Sequence, residues 1–256
     1  MKYGFIEAGS GPALVFLHGI GGRAETWRYQ LERFADAYHV IALDLPGYGR
    51  SDALPEMSLP ALAEWLNGLL TAYDLEDSIL VGHSLGGMIV QEYLAAYDGS
   101  VTAVVLYATS PAFGPKDGEW QQQFIRRSLQ PLDQGKTMHE LAPSIARGMV
   151  GSAGSAEGVD LARQGVAAAS SETYRASVMC LVDFDQRANL GKIEIPCLAL
   201  VGEEDRNAPA PMMEKMAGHI PTGDFVSLPH LGHLAHLENP DLFNKVLQTF
   251  LRERTG

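Results

Sequence analysis

Ser84 stands at the centre of Gly82-His83-Ser84-Leu85-Gly86, between a short apolar run at 79–81 and a helix-like stretch at 88–97. That order reads as strand, sharp turn, helix. Such a turn strains the serine backbone and is tolerable only where the neighbours lack bulk, which accounts for a glycine two residues to either side. It would lift the hydroxyl above a sheet and leave the Leu85 N–H at a helix N-terminus, free to bind an anion. A serine hydroxyl is a poor nucleophile until a base takes its proton, and an imidazole base needs a carboxylate to hold its tautomer and orientation. Two later stretches supply such groups. Gly202-Glu203-Glu204-Asp205 follows the apolar run 197–201, and Pro229-His230-Leu231-Gly232-His233 follows the run 225–228. Three carboxylates and, counting His236, three histidines compete for the two roles. The chemistry on offer is acyl transfer.

His230, His233 and His236 also invite a zinc reading. Their spacing converges only loosely even on a helix, Pro229 and Gly232 argue against a helix there, and no HExxH pattern is present, so no metal and no cofactor is expected.

These groups need elements to position them. Residues 3–7, 13–17, 40–43, 79–82, 103–107, 197–201 and 225–228 read as strands, most of them continuous apolar runs bounded by Gly, Pro or Asp. Helical periodicity lies between them at 24–38, at 58–73 with Ser58 as N-cap, at 88–97, near 209–219 and at 241–252. Buried strands alternating with helices predict an α/β fold, a mostly parallel sheet with helices on both faces and its sites at the strands' carboxyl ends. The alternation stops at 115–186, where helix-like segments at 120–129, 137–149, 159–169 and 173–184 occur with no convincing strand. The expected organisation is a core in two pieces, 1–114 and 187–256, with a helical cap inserted at 115–186.

At 256 residues with a formal charge of -12, the chain is unsuited to nucleic acid or an anionic membrane surface as its main partner. No run approaches the roughly 18 apolar residues of a membrane span, and the N-terminal residues lack a signal-peptide core. Two cysteines, Cys180 and Cys197, make no disulfide framework, so a cytoplasmic location is expected. The 115–186 segment holds seven Lys/Arg against nine Asp/Glu, so it is far less negative than the remainder and could accommodate a carboxylate-bearing substrate.

Along nearly its whole length the chain resembles the α/β-hydrolase family. The likeness is carried by Leu17-His18-Gly19-Ile20-Gly21-Gly22, Asp44-Leu45-Pro46-Gly47-Tyr48-Gly49-Arg50-Ser51, the Ser84 turn, Gly202-Glu203-Glu204-Asp205, and Gly232-His233 followed by Glu238-Asn239-Pro240. The resemblance implies an α/β-hydrolase fold. It implies Ser84 as nucleophile, His233 as general base and then acid, Asp205 as the carboxylate that orients it, and an oxyanion hole from the N–H groups of Ile20 and Leu85. His18 and His83 become packing residues beside the site, Asp44 and Arg50 braces of their loop, and Trp27, Trp120 and Phe124 candidate pocket walls. A serine at position 84 excludes the aspartate-nucleophile dehalogenases and epoxide hydrolases of the same fold. Within the family the chain is most similar to the 3-oxoadipate enol-lactonases and small ring-cleavage hydrolases, through Ser84-Leu85-Gly86-Gly87-Met88 and Leu181-Val182-Asp183-Phe184-Asp185. The substrate implied is a small ester or lactone. The alternatives are C–C hydrolysis of a diketone acid, or a triad-bearing small-molecule receptor with little turnover.

Overall fold

The computed structural model describes residues 1–75, 77–97, 99, 101–114 and 118–254. Among them seven strands form one sheet: β1 (Gly4–Ala8), β2 (Ala13–Leu17), β3 (His39–Asp44), β4 (Ile79–His83), β5 (Ala103–Tyr107), β6 (Cys197–Gly202) and β7 (Gly223–Leu228). Their order is β1-β3-β2-β4-β5-β6-β7, with β1 antiparallel to β3 and every other pairing parallel. The continuous apolar runs of β2, β4, β5 and β6 follow from burial on both faces.

Successive side chains of a strand point to opposite faces, so each strand feeds two cores. Val15, Leu17, Ile41 and Leu43 face a core closed by α2 (Leu59–Ala72), α3 (Leu85–Ala96) and α8 (Ala210–Ala217). Leu14, Phe16, Val40 and Ala42 face the other, closed by α1 (Arg28–Phe34) and α10 (Pro240–Arg254). The Ser58 hydroxyl caps α2 by accepting from the Ala61 N–H at 3.3 Å.

Between β5 and β6 come α4 (Glu119–Asp133), α5 (Met138–Met149), α6 (Ala156–Ala168) and α7 (Ser171–Met179). The expected start of this insertion at Pro115 lies outside the described residues. α4 runs four residues beyond the expected 129, through Pro131, and stops at Gly135 (φ +85°), where the N–H groups of Gly135 and Lys136 bond back to the Leu132 and Pro131 carbonyls. That is a Schellman ending, which a left-handed glycine permits. α7 ends five residues before the expected 184. Val182 and Phe184 instead bond back three residues, and an isolated bridge pairs Ala112 with Asp185. The helix expected at 24–38 is a 3₁₀ turn, Ala24–Trp27, followed by the short α1. The Asp44 carboxylate takes the Ala24 N–H at 2.8 Å and fixes the start of that turn. A short helix, α9 (Ala235–Glu238), follows β7.

Candidate active site

β4 delivers Ser84 into a left-handed turn, φ 53° and ψ -114°, directly before α3. Neither glycine flanking it can be replaced without moving backbone. A Cβ on Gly82 would stand 2.5 Å from the Gly86 carbonyl oxygen, and one on Gly86 would stand 2.5 Å from that of Leu17. The turn is held from β5, because the Ser84 N–H donates to the Tyr107 carbonyl at 2.9 Å and the Thr109 hydroxyl donates to the Ser84 carbonyl at 2.8 Å. A strained serine persists only where its surroundings over-determine it.

The β2 carboxyl end leads into His18-Gly19-Ile20, pressed against the turn: a Cβ on Gly19 would lie 2.9 Å from both His83 and the Ser84 Cβ. His18 braces this loop as a neutral imidazole. Its Nδ1–H donates to the Gly19 carbonyl at 2.7 Å, and its Nε2 accepts the Leu45 N–H at 3.0 Å. Burial lowers its pKa to about 4. Among the described residues no acceptor takes the N–H of Ile20 or of Leu85, and both residues line the same cavity as Ser84. Asp44 and Arg50 brace the neighbouring loop, the carboxylate accepting from the Arg50 N–H at 3.0 Å and from its guanidinium at 3.2 Å.

Asp205 lies in the loop after β6 with its side chain fully buried. One carboxylate oxygen accepts the N–H groups of Asn207 (2.8 Å) and Ala208 (3.0 Å), and the other accepts His233 Nδ1–H at 2.7 Å. An ionised carboxylate only accepts, so it fixes the proton on Nδ1 and leaves Nε2 as the ring's free lone pair. The histidine backbone is tethered too. Its N–H donates to the Met149 carbonyl at 2.7 Å, and its carbonyl accepts His83 Nε2–H at 2.9 Å and the Tyr107 hydroxyl at 3.1 Å. Ser84 and His233 both line the cavity, with no direct hydrogen bond between them among the described residues. Such a bond is commonly long in a ligand-free site and tightens when substrate binds.

The rival groups go elsewhere. Glu203 accepts the His230 N–H at 3.2 Å, and Glu204 accepts the N–H and hydroxyl of Ser152 at 2.7 Å each. The His230 side chain is 70% exposed. His236 is buried with its ring 4.3 Å from that of Trp27, and burial takes its pKa to about 3. The three histidines therefore face three different neighbours.

The cavity holds about 270 Å³ and is walled by Met88, Phe113, Phe124, Val178 and Leu181, with Trp120, half exposed, beside Phe124 at its edge. Trp27 corrects the expectation that it lines a pocket. It is fully buried in the second core against Phe16, because the 3₁₀ turn points its ring into the sheet rather than towards Ser84.

Glu238 was legible only as a motif marker, yet it organises the histidine loop. Its carboxylate accepts the N–H groups of Gly232 (3.0 and 3.1 Å), Leu234 (3.1 Å) and, from the segment after α5, Gly151 (2.7 Å). Burial raises its pKa from the ordinary carboxylate value. The available signal was its place five residues after His233 and two before Pro240.

A family model described as alpha/beta hydrolase fold matches residues 12–240. A pimeloyl-(acyl-carrier protein) methyl ester esterase of Chromobacterium violaceum is 29% identical over 252 residues, covering 96% of this chain and 97% of its own. Among solved structures, a thermophilic esterase from Thermogutta terrifontis superposes with a TM-score of 0.88 at 25% identity, covering 98% of this chain and 93% of that one. The enol-lactonase from Burkholderia xenovorans LB400 superposes at 0.85 with 20% identity over 98% of this chain and 96% of that one, a likeness of fold.

Proposed function

The chain belongs to the alpha/beta hydrolase family, and from that premise we propose that it is a serine hydrolase of small carboxylic esters or lactones. In this reading Ser84 is the nucleophile, His233 its base and Asp205 the group that orients the base. The observation that carries it is the 2.7 Å bond from His233 Nδ1 to a buried Asp205, with that imidazole and the strained Ser84 turn on one cavity. The similarity to esterases supports the same class. The proposed cap is the 115–186 segment, whose α4 and α7 supply apolar wall to the cavity and so select the acyl group.

His233 Nε2 takes the Ser84 proton as Oγ attacks the ester carbonyl. The developing oxyanion is met by the Leu85 N–H, at the positive end of α3, and by that of Ile20. His233 then gives the proton to the leaving oxygen, the C–O bond breaks, and water repeats the sequence on the acyl-enzyme. Asp205 stabilises the imidazolium formed in each half-reaction.

A fluorophosphonate probe tests the assignment. We expect one adduct, mapped to Ser84 by mass spectrometry and absent from Ser84→Ala. No adduct on the wild type, or equal labelling of Ser84→Ala, would remove the esterase reading.

A further inference from the structure

A second cavity, of about 180 Å³, meets the apolar one at His233 and has a different character. Arg147, Glu204, Arg206 and Asn207 line it, and it shares Gly148, Met149, Asn207 and His233 with the larger cavity. Arg147 lies in the last turn of α5, and Arg206 directly follows Asp205. Among the described residues eight arginines are ion-paired and five are not, Arg147 and Arg206 among the five. The one carboxylate on the cavity, Glu204, is turned to Ser152, which occupies both its oxygens, and it stands 3.8 Å from His230. Two cations against one committed anion leave the cavity positive on a chain whose formal charge is -12.

Position supplies the chemical meaning, on the esterase reading above. His233 returns its proton to the leaving oxygen, so the leaving group must lie against the imidazole while the acyl chain takes the apolar cavity. The space that touches the imidazole and is not apolar is this one. We propose that it is a subsite for an anionic group, carboxylate or phosphate, carried on the alcohol portion of the substrate, with Arg147 and Arg206 as its donors. In acylation the ester C–O bond breaks, the proton taken from Ser84 goes to the leaving oxygen, and the alcohol departs with its anion still held beside the arginines. Guanidinium groups suit both anions because they present paired N–H donors.

The test compares kcat/KM for three butyrate esters: of 1-propanol, of 3-hydroxypropanoate and of 2-hydroxyethyl phosphate. Both arginines are exposed, so their attraction is screened, and the anionic esters should be preferred over the propyl ester by roughly tenfold. The preference should shrink as salt is raised towards 0.5 M. Arg147→Gln/Arg206→Gln should bring the ratio of anionic to neutral ester to about one, each single change should lower it part way, and Arg147→Lys/Arg206→Lys should keep most of it. The larger of the two anionic preferences tells carboxylate from phosphate. A wild-type ratio of one or below, or a ratio that survives the double Gln change, overturns the subsite alone. No turnover of any of the three removes the esterase reading and the subsite with it.

Discussion

Asp205→Asn exchanges an oxygen for an amide nitrogen at one of the most constrained points of the molecule. One carboxylate oxygen accepts two backbone N–H groups, from Asn207 and Ala208, and the other accepts from His233. An asparagine can keep the first arrangement only by placing its carbonyl oxygen on the backbone donors, which leaves its NH₂ facing His233 Nδ1. The flipped amide would set NH₂ against two N–H donors at 2.8 and 3.0 Å, so it sacrifices two hydrogen bonds to save one. The favoured arrangement forces the imidazole to accept at Nδ1 and carry its proton on Nε2, where a general base must be empty. A wrong tautomer in such a triad lowers kcat by about 10⁴, or some 5.4 kcal/mol of transition-state stabilisation. The backbone bonds survive, so the fold should be little disturbed, by about 1 kcal/mol. Steady-state hydrolysis of a p-nitrophenyl ester reads the first effect and thermal unfolding the second, with Glu203→Gln, remote from the imidazole, as the control. An Asp205→Asn enzyme within tenfold of wild type, with an unchanged melting temperature, would show that this carboxylate does not set the tautomer.

Relieving the left-handed strain at position 84 with Ser84→Gly should abolish turnover yet raise Tm by about 2–4 °C, for roughly 1 kcal/mol of released strain; a lowered Tm in calorimetry would mean that the turn is not strained. His233→Ala should eliminate ester hydrolysis, whereas His236→Ala, which empties a buried site beside Trp27, should cost about 2–4 kcal/mol of stability in urea unfolding and keep kcat within about tenfold; the reverse pattern would move the base to His236. Glu238 has a folded-state pKa above its unfolded 4.5, so its protonation favours the fold, and the stability this contributes is present below pH 4.5 and lost as pH rises through the folded pKa. Glu238→Gln removes this linkage, so the Tm gap between wild type and variant should be widest near pH 4 and narrow towards neutrality; a gap that widens with pH would contradict the raised value.

How much of this was legible depended on whether a signal was local. The strands of the buried sheet were readable because a strand covered on both faces is apolar along its run, and 13–17, 79–81 and 103–107 are. The residues of the candidate site were readable because each follows a strand in a loop punctuated by glycine. What was not readable depends on partners distant in sequence. The bend at Ala24 comes from Asp44, twenty residues on, and it decides that Trp27 enters the core and not the pocket. Periodicity placed helices in the insertion but could not anticipate that α4 would tolerate Pro131 or that α7 would end early, because both depend on how these helices rejoin the sheet. Glu238 was visible as a letter and invisible as a hub, since its donors lie six, four and 87 residues away.

That hub bears on how such a protein could change its substrate range. The end of α5 and the segment after it are sewn to the histidine loop, where Met149 accepts from the His233 N–H, Gly151 donates to Glu238, Ala153 to the His230 carbonyl and Ser155 to that of Glu238, and Ser152 donates to Glu204 in the loop after β6. A Cβ on Gly232 would come within 2.5 Å of the Gly151 nitrogen, so even the van der Waals surfaces are matched. The inserted helices are consequently not an interchangeable part. A chimera that imports 115–186 from a relative would mismatch this seam and displace the imbedded imidazole unless residues 230–238 travelled with it. For shuffling by recombination or design, the heritable unit is therefore the insertion together with the histidine loop, two pieces far apart in the gene that must change as one.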